Sequence, residues 1–139
     1  YDLDKIQWNQ NAKNYGAKNS PEIKEKLLNE KKKKKDWIIE GVYYKWCDTS
    51  FEKADYIFFI SVSLNIQRKR IIKRFIKRKL KIEKTGKKES LKSLYDLLKW
   101  NKEYNTKDQI EIMKKLEPYS KKLYKVKGID EILEILNIN

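Results

Sequence analysis

Short apolar runs alternating with amphipathic helical segments predict an α/β domain built on a parallel sheet with helices on both faces. Residues 37–39 (WII) and 55–62 (DYIFFISV) are continuously apolar rather than alternating, the pattern of strands covered on both sides. LYKVK at 123–127 is a third such run. Between these runs, apolar residues recur at spacings of three and four, as core-facing helices require. At 139 residues the chain is long enough for one domain with a sizeable core, and no internal repeat divides it.

Taken in order, YDLD (1–4) reads as the end of a strand, and a loop follows. SPEIKEKLL then opens a helix, with Ser20 as N-cap, Pro21 in the first turn and Glu22 at the positive end. Ile23, Leu27 and Leu28 form its apolar stripe, and the lysine run at 31–35 suits its negative end. After the strand at 37–39, residues 41–54 form a loop and a short helix. A helix starting near Asn65 places Ile71, Ile72, Phe75 and Ile76 toward the core, with Arg70, Arg74 and Arg78 on an adjacent stripe. Residues 82–90 (IEKTGKKES) read as a polar surface loop. Leu91, Leu94, Tyr95 and Leu98 mark a further helix. Thr106 with Gln109 predicts a capping box for another, which stops before Pro118. Gly128 leads into a last helix, with Ile129, Ile132, Leu133 and Leu136 inward.

Composition narrows the chemistry. There is no histidine, which removes Ser–His–Asp and Cys–His nucleophile systems and most zinc sites. Cys47 is the single cysteine; without an imidazole partner it reads as a small apolar residue, and it cannot form an internal disulfide. With no apolar run near bilayer length and no signal-peptide pattern, the expectation is a soluble cytoplasmic protein with no membrane partner. What remains is chemistry that runs on carboxylates, cations and backbone. The net charge of +14, from 34 basic and 20 acidic residues, points to a polyanionic partner, with plain solvated lysine as the alternative.

Arginine carries more information than lysine here. The chain's only arginines, Arg68, Arg70, Arg74 and Arg78, fall in one eleven-residue stretch. A chain that uses lysine almost everywhere else but arginine here points to a need for the planar fork that grips phosphate or carboxylate with two bonds. Arg68 falls nearer the apolar side of its helix and reads as structural. Glu40 stands at the carboxyl end of a parallel-type strand, where ligands of open α/β sheets bind, and Gly41 lets the chain turn close to such a ligand. Asp2 and Asp4, two apart on a strand, would share one side; the alternative is a pair of solvated acids. Trp8, Tyr43, Tyr44 and Trp46 either line a pocket or pack.

The order LDKIQW (3–8), WIIEGVY (37–43), ADYIFFISVS (54–63) and R-x-x-x-R at Arg70 and Arg74 resembles adenylate-kinase-like P-loop kinases, most closely the small topology-modulation (FlaR-like) proteins. The resemblance covers nearly the whole chain. It implies a single domain over 1–139, a three-layer fold with helices on both faces of a parallel sheet, and a lid at about residues 79–105. It implies transfer of the γ-phosphoryl group of Mg-ATP to a small acceptor such as a nucleotide or nucleoside. By that resemblance Glu40 touches Mg2+ through water, and Asp2 and Asp4, with Gly41, meet the acceptor. Arg70 lies near the base, and Arg74 reaches the phosphates. Arg78, Lys84 and Lys87 add to the phosphate contacts, and the backbone at Lys127 and Gly128 passes the adenine.

One departure is large. Such kinases begin with a strand, a G-x-x-x-x-G-K-[ST] loop and a helix, and the four glycines here (16, 41, 86 and 128) form no such loop. The expectation is therefore an N-terminally truncated sheet without its central strand, inactive as it stands, the missing unit being roughly 30 residues. The alternative function is a basic nucleic-acid-binding protein, concerned with DNA topology, without kinase activity.

Overall fold

The computed structural model describes residues 1–9, 16–82 and 90–138. These gather into two units, Tyr1–Asp55 and Tyr56–Asn139. The fold is mixed α/β and mostly helical, and its sheet among the described residues has two parallel strands. No helix among those residues is long and apolar enough to cross a membrane.

In the first unit, residues 1–3 run parallel to residues 38–40. The Tyr1 ammonium donates to the Ile38 carbonyl. The Glu40 N–H donates to the Tyr1 carbonyl, and the Leu3 N–H donates to the Glu40 carbonyl, both at 2.9 Å. Asp2 and Glu40 are thereby paired as a parallel bridge. The stretch expected as a strand at 37–39 is thus extended chain ending in a single bridge. It does not bury both its faces: Ile39 packs inward, while Ile38 is 81% exposed.

Beyond Leu3 the chain turns at once into α1 (Asp4–Gln7). Helix α2 (Pro21–Lys31) begins as its sequence dictates, the Ser20 hydroxyl accepting from the Ile23 N–H at 3.4 Å. Helix α3 spans Asp48–Lys53. Leu3, Ile6, Leu28 and Cys47 form the buried core, and Leu27, Ile39, Tyr43, Trp46 and Phe51 pack around it. Cys47 is the small buried residue the composition implied; its thiol donates to the Tyr43 carbonyl at 2.8 Å.

The second unit pairs β1 (Ile57–Ile60) with β2 (Leu123–Val126), in the register Ile57 with Leu123 through Ile60 with Val126. Ile57, Phe59 and Val126 are buried in this unit, as are Ile71, Ile112 and Leu116. Tyr56, Phe58 and Tyr124 form an aromatic group with centroids 5.7 to 6.0 Å apart. Helix α4 (Leu64–Lys79) buries Ile71 and half-buries Phe75, but Ile72 and Ile76 are exposed. The four-residue core stripe expected there is narrower, because one residue of helix is a turn of about 100° and a face centred on Ile71 and Phe75 leaves the next position outside.

Helix α5 (Leu91–Glu103) opens with a capping box between Ser90 and Ser93, which the sequence pattern did not reveal. The box expected at Thr106 and Gln109 does not form. A π-helical turn, Tyr104–Asp108, carries the chain straight into α6 (Gln109–Leu116). Thr106 bonds backward, its hydroxyl donating to the Lys102 carbonyl at 3.0 Å, and Gln109 donates to Asn105 Oδ1 at 2.9 Å. The reason lies across the helix pair. Gln67 of α4 accepts from Asn101 at 2.6 Å and Asn105 at 3.0 Å, and an amide network of this kind favours an unbroken helix that keeps these donors on Gln67, even with the buried Asn101 Oδ1 left without a hydrogen-bond partner among the described residues. A 3₁₀ segment, Glu117–Lys122, containing Pro118, leads to β2, and α7 (Ile129–Ile135) closes the described chain. Of its expected inward residues, Ile132 and Leu136 are half-buried, while Ile129 is 61% exposed and Leu133 lies at the surface. Residues 83–89 of the expected polar loop, with the lysines Lys84 and Lys87 of the expected lid, lie outside the described residues, while Ser90 at its end caps α5.

Leu28 is the most buried side chain of the first core, at 1% exposure. Leu28→Ala is expected to cost about 2–5 kcal/mol of stability through the cavity it leaves. Ser20→Ala, which loses one cap, is expected to cost about 1 kcal/mol. Urea unfolding measures both; small and equal losses would show that Leu28 does not sit in a packed core.

Candidate functional site

The first unit brings together four of the predicted residues, Asp2, Asp4, Glu40 and Gly41. The backbone pairing of residues 1–3 with 38–40 places Asp2 and Glu40 side by side at the end of the extended stretch. Asp4 does not continue that strand, so it does not share a strand face with Asp2. Instead Asp2 Oδ1 accepts the Asp4 N–H at 2.8 Å, capping the turn that starts α1. The Asp4 carboxylate is left exposed.

Two aromatic donors converge on that carboxylate. The Tyr43 hydroxyl donates to Asp4 Oδ1 at 2.6 Å, and the Trp8 indole N–H reaches the same oxygen at 3.3 Å. Trp8 stands four residues after Asp4, one helical turn along, which sets the two side chains on one face. Tyr43 arrives from the loop after Glu40 and stacks on Trp46 with centroids 6.0 Å apart. Cations stand over the faces of two of these rings: Lys18 lies 5.9 Å from the Trp8 ring centre and Lys24 lies 5.6 Å from that of Trp46. Among the described residues no group of three or more acids or cysteines is placed to hold a metal directly.

Gly41 is required by geometry. Its φ is +146°, and a Cβ added there would stand 2.8 Å from the Leu3 Cβ. The glycine therefore lets the strand end pass hard against Leu3, which keeps Glu40 beside Asp2.

The phenol of Tyr43 is pushed up to about 12, first by burial and then by the hydrogen bond and charge of Asp4, with a hydrogen bond from Trp8 opposing. Each of the first two effects favours the neutral phenol, the form that donates to a carboxylate.

The cationic candidates lie in the second unit. Arg70 and Arg74 are exposed on α4 one turn apart, and Arg78 is half-buried. Arg68 is half-buried, and its buried Nε has no hydrogen-bond partner among the described residues, in keeping with a residue turned toward the helix's inner side. Lys127 and Gly128 link β2 to α7. The Lys127 N–H donates to Glu131 Oε2 at 2.9 Å, so this backbone donor already closes the start of α7. Gly128 is in extended backbone, and a Cβ added to it would meet nothing within 4 Å, so no steric demand for glycine exists there.

The sequence pattern left Trp8 and Tyr43 undecided between lining and packing. The signal that identifies Trp8 is its i, i+4 relation to Asp4, which counts only once Asp4 is helical. Tyr43 lies 39 residues from Asp4 and left no local trace. No family model matches the chain, and neither a curated protein nor a solved structure shows significant similarity to it.

Two expectations follow. An unfolded tyrosine ionises near 10, whereas folded Tyr43 holds its proton to about 12. Its contribution to stability is complete below about pH 10 and is lost as pH rises toward about 12. Denaturant unfolding at mildly and strongly alkaline pH should therefore show the wild type losing its stability advantage over Tyr43→Phe; a constant difference would contradict the arrangement. Gly41→Ala should destabilise by about 1–3 kcal/mol from backbone strain alone, with a further loss from the Leu3 contact, read by the same unfolding assay.

Proposed function

We propose that the chain belongs to an adenylate-kinase-like P-loop phosphotransferase, which moves the γ-phosphoryl group of Mg-ATP to a small acceptor such as a nucleotide or nucleoside. The observation that carries this reading is the parallel pairing of residues 1–3 with 38–40, which sets Asp2, Asp4 and Glu40 around one strand end. An acid cluster at the carboxyl end of paired parallel chain is the arrangement that holds an acceptor and a hydrated metal in this class of chemistry. The parallel pairing of β1 with β2 in the second unit agrees with the same plan.

In this reading Asp4 accepts a hydrogen bond from the acceptor hydroxyl and takes its proton as the new oxygen–phosphorus bond forms and the bond from the γ-phosphorus to the β–γ bridging oxygen breaks, with ADP as the leaving group. Asp2 shapes the turn that presents Asp4. Glu40 holds a water of the Mg2+ shell; its single carboxylate fits an ion that keeps most of its waters and is bound through one or two carboxylates plus phosphate. The ion supplies charge neutralisation on the phosphates. Arg70 and Arg74 supply forks for phosphate oxygens, with Arg78 in support. The backbone at Lys127 and Gly128 takes the base-side role through groups other than the Lys127 N–H, which Glu131 holds.

Arg74→Lys keeps the charge but loses the fork, and should weaken binding of a nucleotide by about tenfold, measured by fluorescence titration. Because none of the glycines lies in a phosphate loop, residues 1–139 should bind ATP more weakly than micromolar. Micromolar binding by this chain would overturn the assignment of the phosphate groups.

A second reading, a basic nucleic-acid-binding protein, is favoured by the exposed cations Lys69, Arg70, Lys73, Arg74 and Lys77 along α4. It predicts that affinity for a DNA duplex falls linearly in log–log terms with salt, and that Arg74→Lys changes little because phosphate neutralisation depends on charge. The two readings therefore give opposite outcomes for the same substitution.

A further inference from the structure

Both donors on Asp4 bond to one oxygen. Oδ1 receives the Tyr43 hydroxyl at 2.6 Å and the Trp8 indole at 3.3 Å, and among the described residues no donor reaches Oδ2. A carboxylate offers about four lone-pair sites on two oxygens. Two donors on one oxygen fix the rotation of the group and leave the second oxygen as its open acceptor.

The donors are themselves held. Tyr43 packs against the core of Leu3, Ile6, Leu28 and Cys47, stacks on Trp46, and its carbonyl accepts from the Cys47 thiol. Trp8 is paired with Lys18 in an antiparallel bridge, and the adjoining Asn9 N–H donates to the Ala17 carbonyl at 2.8 Å. The Asp4 backbone is fixed by Asp2. An exposed aspartate would ordinarily sample several rotamers, and here its backbone, one oxygen and both partners are restrained. That is the supporting shell a preorganised polar contact needs. Asp4 is exposed although its two donors, Tyr43 and Trp8, are half-buried.

We infer that Tyr43 and Trp8 are positioning residues, which clamp Oδ1 of Asp4 so that Oδ2 meets a hydroxyl of a nucleoside-class acceptor. The inference rests on the acceptor role proposed for Asp4 and adds what makes that role selective. A carboxylate with a fixed direction rewards a ligand that places a hydroxyl on its open lone pairs. It penalises an analogue lacking that hydroxyl, because the oxygen then loses water without gaining a donor. The neutral phenol of Tyr43 persists through the physiological range, which keeps the clamp in its donating state.

The test uses the chain itself with two readouts. Trp8 is one of four tryptophans, and its indole N–H resonance is identified by its disappearance in Trp8→Phe. That resonance should shift in Asp4→Asn and in Tyr43→Phe; a resonance unmoved by Asp4→Asn shows that no clamp exists and overturns the inference. Calorimetric titration then compares nucleosides with their 5′-deoxy analogues. The wild type should favour the hydroxylated form by about tenfold. Tyr43→Phe and Trp8→Phe should each cut that preference to about threefold or less while the affinity for the deoxy analogue stays the same, a pattern that general loosening of the fold would not produce. Asp4→Asn should remove the preference. A preference that survives both aromatic substitutions sinks the positioning role and leaves the acceptor role of Asp4 standing. A wild type that does not tell the two ligands apart sinks the acceptor role, and the inference with it.

Discussion

Leu3 holds the first unit together from both its backbone and its side chain. Its N–H closes the pairing with Glu40, its side chain is buried with Ile6, Leu28 and Cys47, and its Cβ lies against the only residue type that fits at position 41. Everything proposed for Asp2, Asp4 and Glu40 depends on that junction. The acids are neighbours because two pieces of backbone 37 residues apart lie side by side, and the buried side chain of Leu3 supplies the free energy that keeps them there. Hydrogen bonds at an exposed pairing contribute little net stability, whereas a buried leucine removes a large apolar surface from water.

The second unit solves a different problem. Its two-strand sheet is short, and α4 meets α5 partly through amides rather than through apolar packing alone. Gln67, Asn101, Asn105 and Gln109 bond to one another across and along the helices, with Asn101 4% exposed. Such a network specifies one register of helix against helix, because a slip leaves buried amides unpaired. It also explains why the chain accommodates a π turn at Tyr104–Asp108 in place of a break. The arginines of α4 thus stand on a helix whose registration against α5 is set by polar groups, and Gln67 lies on the same side of the helix as Arg74 and Arg78.

Local signals were legible wherever their partners lay within a turn or two. Ser20 and Pro21 announced α2, Pro118 announced the end of α6, and the runs IFFI and LYKV announced the two strands. The same kind of signal misled at Thr106 and Gln109, where a distant glutamine on α4 outweighed a local cap. Periodicity overcounted the core face of α4 and of α7, since it marks apolar residues without saying how wide a face the neighbouring elements cover. Asp2 and Asp4 were recognisable as acids near a strand end. That one caps the turn and the other receives two aromatic donors was not, because the strand stops one residue earlier than its pattern implied.

The sequence by itself determined the chemistry available: no histidine, one isolated cysteine, arginine confined to one helix, and acids at two strand ends. It also determined most helices and both paired strands, since caps, prolines and apolar spacing act through contacts only a few bonds away. Tertiary structure alone decided which acid faces out, which oxygen of that acid is occupied, and that Tyr43, 39 residues away, joins Trp8 on it. Those outcomes follow from long-range packing around Leu3 and Gly41, where a Cβ-scale fit between segments far apart in the chain sets side-chain direction, and no local pattern encodes such a fit.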